Sequence, residues 1–372
     1  MKNHYKTIFY GALGKKNKIT VGGGETGNTK TLLLLEKNGI EVIKIFKPYP
    51  WKTMVGYIIY VFKLIGTLLR YIFILINNPT AKTVHISGFY LHLIYNEYFL
   101  IIFSRLFNRK CIYELRGGGL IEAFQKRSVI YRLFFKAALN NSSIILCQGE
   151  SYIPFLRSLT KVDVVYYPNY VLNDFISNNR NNDRDNDKMV KLIYFGRIVQ
   201  SKNIKLLVKI CEELKSNEFN FNMEIIGSGE PDFINSLKSE IKILNMEEVV
   251  KIKEPVQIDL LKKILITKHF FLFPSNEKRE GHSNSLTEAM AMGVVPICSN
   301  AGFNKEIVGD NYFVVDSYSA LDYANKVMET WRNGNWSNLS NKVTVRIEEN
   351  YTEDVAEKVI FAAYNLRNDL YN

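Results

Sequence analysis

The sequence predicts an α/β fold made of two doubly wound, parallel-sheet domains of similar size that join near residues 171–190. Three observations carry this. Short apolar, β-branched runs alternate with helical stretches along the first half of the chain. A polar tract, SNNRNNDRDNDK at 177–188, then breaks the alternation. After it the alternation restarts, and 372 residues is about two domains' worth of chain.

In order, the first-half strands are KTIFYGAL, EVIKIFK, TVHISG, CIYELRG, SIILCQG and DVVYYPN, with helical stretches such as TKTLLLLEK and IYRLFFKAAL between them. The 177–188 tract has too few apolar side chains to bury and reads as a linker or exposed loop, with the linker proper at 173–189. Second-half strands are KLIYFGR, NMEIIGSG, VVKIKE, HFFLFPS, VVPICS and YFVVD, separated by helical runs such as IKLLVKICEELK and QIDLLKKILI. The expected organisation is a first domain over 1–172, a second over 190–352, and a terminal helix over 353–372. In doubly wound sheets ligands bind beyond the carboxyl ends of the strands, where the strand order reverses, and two such domains face a ligand across a cleft.

Composition narrows the function classes. The chain is 47% hydrophobic and 23% charged, a globular balance. Its four cysteines, Cys111, Cys147, Cys211 and Cys298, are scattered, which argues against a disulfide framework or a zinc site and fits a reducing, cytoplasmic setting. The first residues lack the apolar core and cleavage site of a signal peptide. The most apolar stretch, 54–76, is interrupted by Lys63 and Arg70 and is not read as a membrane span. Charge is uneven. Residues 1–170 hold 23 Lys and Arg against 8 Asp and Glu, a net of +15; of 48 and 37 in the whole chain this leaves 25 and 29, a net of −4. A basic half points to an anionic partner, but no nucleic-acid-binding module or aromatic–basic interleaving is present.

Residues 22–29, GGGETGNT, come within one residue of the phosphate loop G-x-x-x-x-G-K-[ST]. Asn28 stands where the lysine belongs, which removes the charge that reaches the terminal phosphates, and no apolar strand ending in Asp follows to hold magnesium. Two readings stay open: a glycine turn leading into a helix near Asn28 whose amides approach a ligand, or a βα turn that needs glycine only for its backbone.

The second half carries a tighter pattern, FLFPSNEKREGHSNSLTEAMAMG at 271–293. A strand ends near Phe273, a polar loop follows, and a short helix runs from about Ser285 to Met292, closed by Gly293. Glu280 in the loop and Glu288 in the helix stand eight positions apart. Ser285 to Glu288 also spells a capping box, in which Glu288 would bond back to the Ser285 amide. A helix start flanked by two carboxylates suits a sugar phosphate, with amides for the phosphate and acids for hydroxyls.

E-x7-E followed by A-M-A-x-G-x-P resembles the retaining glycosyltransferases of the GT-B fold, family 4 above all. IYFGRIVQSKNIKLL is similar to that family's G-R-x-x-x-x-K strand–turn–helix, NMEIIGSGE to its next strand and G-x-G turn, and GGGETGNTKTLLLLEKNGIEV to its amino-terminal loop and helix. The terminal VAEKVIFAAYNL resembles the segment that returns to the first domain. The likeness is best over 190–315.

The resemblance implies roles. Arg197 and Lys202 would bind the donor diphosphate, Glu288 the ribose, and Glu280 the transferred sugar. His282, Ser283, Asn284, Ser285 and Gly227 would line the donor site, and Gly23 and Gly24 would border the acceptor region. The sequence departs from commoner members at Asn203, where a glycine is frequent, and at His282, where an aromatic is frequent. The implied reaction retains anomeric configuration, the departing phosphate taking the acceptor proton while Arg197, Lys202 and a helix start neutralise it without a metal or other cofactor. Two D-x-D triplets at 183–187 lie inside the biased polar tract and are read as compositional.

On the acceptor side, His85 reads as the end of the strand TVHIS, where it is either a general base or acceptor contact, or a hydrogen-bonded structural residue. Arg116 either meets a phosphate or pairs with Glu114. The basic clusters, with Lys63 and Arg70 seven apart and Lys126, Arg127, Arg132 and Lys136 crowded together, point with stretch 54–76 to an anionic membrane surface, or 54–76 simply packs on the sheet. The expectation is a cytoplasmic enzyme, peripheral on the inner face of the plasma membrane. It would use a nucleotide sugar to extend a lipid-diphosphate-linked saccharide in O-antigen or capsule synthesis. A nucleotide-sugar epimerase of the same fold and a non-catalytic carbohydrate- or lipid-binding module are the alternatives.

Overall fold

The computed structural model describes residues 5–14, 22–49, 53–176, 184 and 187–365. The chain divides into two compact units, residues 1–168 with 356–372, and residues 169–355.

Unit 1 builds a six-stranded parallel sheet from β1 (Lys6–Gly11), β2 (Glu41–Phe46), β3 (Thr83–Gly88), β4 (Lys110–Leu115), β5 (Ile144–Cys147) and β6 (Val164–Tyr166), in the order β2–β1–β3–β4–β5–β6. Its helices are α1 (Gly23–Lys37), α2 (Met54–Asn77), α3 (Ile94–Leu106), α4 (Leu120–Lys126), α5 (Val129–Asn141) and α6 (Tyr152–Arg157). From β2 onward the chain steps one way, to β3, β4 and β5, so right-handed crossovers place α2, α3 and α5 on one face of the sheet. All six predicted first-half strands form. β3 and β4 are buried along nearly their whole length, as expected of a sheet covered on both faces.

Unit 2 repeats the plan with β7 (Val190–Phe195), α7 (Ile204–Ser216), β8 (Phe221–Ile226), α8 (Pro231–Ile243), β9 (Val250–Lys253), α9 (Ile258–Leu265), β10 (Phe270–Phe273), α10 (Asn284–Ala291), β11 (Val295–Ser299), α11 (Asn304–Val308), β12 (Val314–Val315), α12 (Ala320–Arg332) and α13 (Trp336–Asn350). The strand order is β12–β11–β10–β7–β8–β9, which reverses between β7 and β10. The terminal helix α14 (Glu353–Tyr364) enters unit 1 from residue 356. There Glu357 accepts from Asn38 Nδ2 at 2.6 Å and Tyr364 meets His85.

Two expectations about the joins need correction. Residues 169–176 are part of unit 2, where Phe175 is buried under the ammonium of Lys262 and Val171 bridges to Thr352. The polar tract is not wholly solvated either, although 177–183 and 185–186, with most of the D-x-D triplets, lie outside the described residues. Arg184 is buried, donates to the Lys268 carbonyl at 2.8 Å and lies 4.8 Å from the Trp336 ring. Helix α2 is continuous through Lys63 and Arg70. It is long and apolar enough to cross a membrane, and it packs chiefly on α3.

Arg184 also helps to set a titration. The His269 ring is buried between Trp331 and Trp336; its Nδ1 accepts from the Lys191 amide at 2.8 Å, so Nε2 carries the proton and donates to the Arg184 carbonyl. Burial pulls its pKa from 6.5 to about 4, against the bond to the Arg184 carbonyl and the charge of Asp187, which both raise it. The depressed value means that folding favours the neutral ring. This stabilisation is complete above pH 6.5 and fades as the pH falls toward 4, a loss of about 3 kcal/mol. Urea unfolding followed across that window is expected to show unit 2 weakening on acidification, with the slope flattened in His269→Asn.

Candidate active site

The site assembles at the carboxyl edge of the second sheet, at the β7/β10 reversal where doubly wound sheets hold ligands. Two loops leave this edge side by side. After β7 the chain makes Gly196-Arg197-Ile198 and a 3-10 turn over Gln200–Lys202; after β10 it runs from Pro274 to the start of α10. The Asn276 amide donates to the Ser201 carbonyl at 3.0 Å and ties the loops together. Across that seam Lys202 Nζ forms an ion pair with Glu280 Oε2, both residues being buried. Ser275 Oγ donates to the same carboxylate oxygen at 2.7 Å, and the Ser299 hydroxyl donates to the Ser275 carbonyl.

Arg197 is exposed at this edge and forms no salt bridge among the described residues. Its carbonyl accepts from the buried Tyr194 hydroxyl at 2.7 Å, which fixes the turn and leaves the guanidinium to solvent. Glu277 stands close by. Burial raises its pKa, but the Ser201 hydroxyl, the Arg279 amide and the charges of Lys202 and Arg197 together hold it below the usual carboxylate range. The edge thus brings Arg197 and Lys202 together with the carboxylates of Glu277 and Glu280.

Asn203 adopts φ 58°, ψ 40° at the start of α7. Asparagine is among the few non-glycine residues that tolerate the left-handed region, so it serves where the commoner pattern has glycine. His282 likewise stands in for an aromatic: its ring meets Tyr351 edge-on at 4.8 Å, and its carbonyl accepts from Asn169 Nδ2 at 2.6 Å.

The helix after this loop starts earlier than expected. α10 begins at Asn284 with Ser283 as N-cap, whose hydroxyl accepts from the Leu286 amide at 3.4 Å and lies 3.1 Å from the Ser285 hydroxyl. The expected capping box from Ser285 to Glu288 therefore does not form. Two serines with equal capping propensity compete, and Ser283, whose carbonyl also accepts from the Thr287 hydroxyl at 3.2 Å, takes the cap. Glu288 falls in the second turn, buried, one turn beyond Asn284 and on the same helix face.

Gly227 and Gly302 have steric roles. A Cβ on Gly227 would lie 1.8 Å from the Gly196 carbonyl oxygen, so the G-S-G turn is pressed against the turn carrying Arg197. A Cβ on Gly302, at φ +54°, would lie 1.9 Å from the Glu280 carbonyl oxygen. Gly302, Ser275 and Asn169 escaped the sequence reading. Gly302 and Asn169 act on the loop by contact across the fold, whereas Ser275 braces Glu280 from within the same loop.

In unit 1 the glycine-rich segment is not a phosphate loop. Residues 23–29 are already the first turns of α1, with Gly22 as N-cap, so the helix starts five residues before the expected Asn28. Asn28 is buried; it donates to the Ala12 carbonyl at 2.9 Å and accepts from Ser87 Oγ at 2.7 Å. It pins α1 to the ends of β1 and β3, the reversal point of the first sheet. Gly23 opens the helix, and a Cβ on Gly24 would lie 2.6 Å from the Phe89 ring. The same ring carries the Lys47 ammonium at 3.8 Å, and burial lowers that lysine's pKa to about 8 against the pull of Glu97. Lys47 ends the strand EVIKIFK at the sheet's carboxyl edge, a signal the sequence reading passed over.

His85 is corrected from a strand end to mid-strand, because β3 pairs on through Gly88. It is fully buried, with Nε2 3.0 Å from Glu114 Oε2 and Nδ1 2.9 Å from the Tyr364 hydroxyl. An ionised carboxylate only accepts, so Nε2 is the donor. Glu114 feels burial first, which raises its pKa, but Arg116 and then His85 overcome that and hold it low. Arg116 turns inward to Glu114 Oε1 at 2.7 Å. The four cysteines are free and buried. Among the described residues no group of three His, Cys, Asp or Glu side chains is placed to hold a metal ion.

Known proteins share the fold. Residues 175–349 match the family model described as Glycosyl transferases group 1. No curated protein sequence matches the chain. Its fold is similar to sucrose-phosphate synthase from Thermosynechococcus elongatus (TM-score 0.75, 15% identity, covering 97% of this chain and 98% of that one). It is also similar to Anabaena Alr3699/HepE in complex with UDP and glucose (0.70, 14%, 98% and 100%) and to a glycosyltransferase from Rickettsia africae (0.71, 14%, 99% and 100%). The architecture, two parallel six-stranded sheets with flanking helices, is GT-B. The segment that holds Arg197, Lys202 and Glu280 is a glycosyl transferases group 1 domain, and the chain is a glycosyltransferase.

Proposed function

We propose that the protein transfers a hexose-type sugar from a nucleotide diphosphate sugar, with retention, to a lipid-linked saccharide in bacterial surface polysaccharide synthesis. The observation that carries the donor half is the buried Lys202–Glu280 pair beside the exposed Arg197 at the β7/β10 reversal. An ammonium has three donors; one on Glu280 leaves two for a phosphate oxygen. Arg197 offers a planar fork for a second oxygen. A solved neighbour that holds UDP and glucose supports a nucleotide donor of this kind.

In this reading the bond from the anomeric carbon to the diphosphate oxygen breaks, and one from that carbon to the acceptor oxygen forms on the same face. The acceptor proton passes to a departing phosphate oxygen. Arg197, Lys202 and the first amides of α10 stabilise the charge that develops there. Glu280, held by Ser275 and Lys202, accepts from sugar hydroxyls and does not attack the carbon; Glu288 accepts from the ribose. His282, Ser283, Asn284 and Ser285 shape the donor side. Gly23, Gly24, His85 and Arg116 belong to the acceptor side, the last two through their network with Glu114. The residues present supply this charge stabilisation with no metal or cofactor assigned a role.

Incubating the purified protein with UDP-, GDP- and ADP-sugars is expected to release sugar from one donor class, and NMR of the transfer product to show the donor's anomeric configuration kept. Turnover of no donor, or release of only an epimerised nucleotide sugar, would overturn the reading.

A further inference from the structure

Helix α2 shows two opposite faces. One is packed: Tyr60, Tyr71 and Leu75 are buried, and the Tyr71 hydroxyl bonds to Ser104 on α3. The other is a stripe of exposed side chains at three- and four-residue spacing, Ile58, Phe62, Ile65, Leu69, Phe73 and Ile76, with Phe62 at 69% and Phe73 at 65% exposure. Isolated apolar residues on a surface are ordinary, but six in register along about five turns are not.

The charges around this stripe select what covers it. At about 100° per residue, Lys63 and Arg70 lie roughly 100° from the middle of the stripe, along one flank. Helices α2, α3 and α5 share one face of the sheet; they carry Lys63, Arg70, Arg105, Arg132 and Lys136 against a single acid, Glu97, which is fully buried. On α5, Val129, Ile130 and Leu133 are each 61% exposed. An open groove of about 350 Å³ there is lined by Phe124, Val129 and Leu133, with Arg132 and Lys136 beside them. An apolar floor edged by two cations matches an acyl chain below an anionic headgroup.

We infer that unit 1 docks on an anionic lipid bilayer, with α2 lying in the interface plane and the α4–α5 groove beside it. A second copy of the chain would bring five like charges against five and is disfavoured. A span across the bilayer would place Lys63 and Arg70 in mid-helix at hydrocarbon depth and strip α2 from α3. Lying flat, the same two side chains reach the headgroups while the stripe enters the acyl boundary.

Co-sedimentation of the full-length protein with phosphatidylcholine vesicles, with and without phosphatidylglycerol, tests this without any donor or acceptor, so its outcome is independent of the proposed reaction. Binding is expected to require the anionic lipid and to fall with salt. Removing a cation near such a surface weakens partitioning about fivefold. Arg132→Gln/Lys136→Gln is therefore expected to lose about 20-fold, and Phe62→Glu/Leu69→Glu at least tenfold, with circular dichroism and thermal unfolding unchanged. Should a variant fail to fold, the lipid and salt dependence of the unaltered protein decides. Three results would overturn the proposal: no preference for anionic vesicles, a dimer in solution that Phe62→Glu/Leu69→Glu dissolves while vesicle binding is absent, or cellular membrane association that survives alkaline carbonate.

Discussion

Lys202→Ala is expected to lower donor turnover about 100- to 1,000-fold, the scale for losing one preorganised charge at a developing oxyanion. Lys202 sits beneath a loop seam, and its only ion-pair partner among the described residues is Glu280. In the proposed reaction its removal deletes a donor to the leaving phosphate, and it also strands the buried Glu280 carboxylate. The second effect has its own signature. Breaking one side of a buried pair costs about 3–5 kcal/mol, whereas replacing both sides costs much less. Lys202→Ala/Glu280→Gln is therefore expected to unfold at higher temperature than Lys202→Ala while remaining as inactive. Turnover normalised to folded protein, measured over the four members of the cycle, separates the two contributions. If Lys202→Ala retained full turnover once corrected for folding, the lysine would have no part in the chemistry.

Gly302→Ala is expected to be the most damaging single methyl group in unit 2. The added carbon would stand 1.9 Å from a backbone oxygen of Glu280, at a φ of +54° that alanine adopts only with strain. A side-chain clash is relieved by a rotamer; this one requires the backbone of the Glu280 loop to move. Strain and overpacking together cost about 2–4 kcal/mol, roughly 5–15 °C of melting temperature for a unit of this size. Glu280 is displaced by the same movement, so activity should fall more steeply than the folded fraction. A melt and a turnover assay on one sample read both. Gly334→Ala makes a useful comparison: φ is also positive, at +62°, but no atom lies within 4 Å of the added carbon, so only the strain remains.

Alternation of apolar runs was enough to locate all twelve strands, because period and composition are local properties. Arg197, Lys202 and Glu280 were singled out by the motif resemblance, and the structure places each on a loop after a strand at the same sheet edge. Helix starts were less legible. GGGETGNT looked like a loop by its glycines, yet Gly23 onward is helix, because Asn28 reaches both Ala12 and Ser87 and holds the segment down on the sheet. The capping box at Ser285 likewise lost to Ser283, whose carbonyl also accepts from the Thr287 hydroxyl. His85 read as a strand end, but the pairing of Ser87 and Gly88 with β4 carried the strand past it.

By itself, then, the sequence determined the α/β class, the two-unit plan and the strand set, all of which follow from short-range pattern and side-chain chemistry. Only the tertiary structure decided that Lys202 and Glu280 pair, that Gly302 braces Glu280, that His85 and Arg116 turn inward on Glu114, and that α2 keeps an apolar face outward. The physical reason is that each of these depends on which distant segment arrives alongside, and side-chain burial and pairing are set by that neighbour, not by adjacent residues.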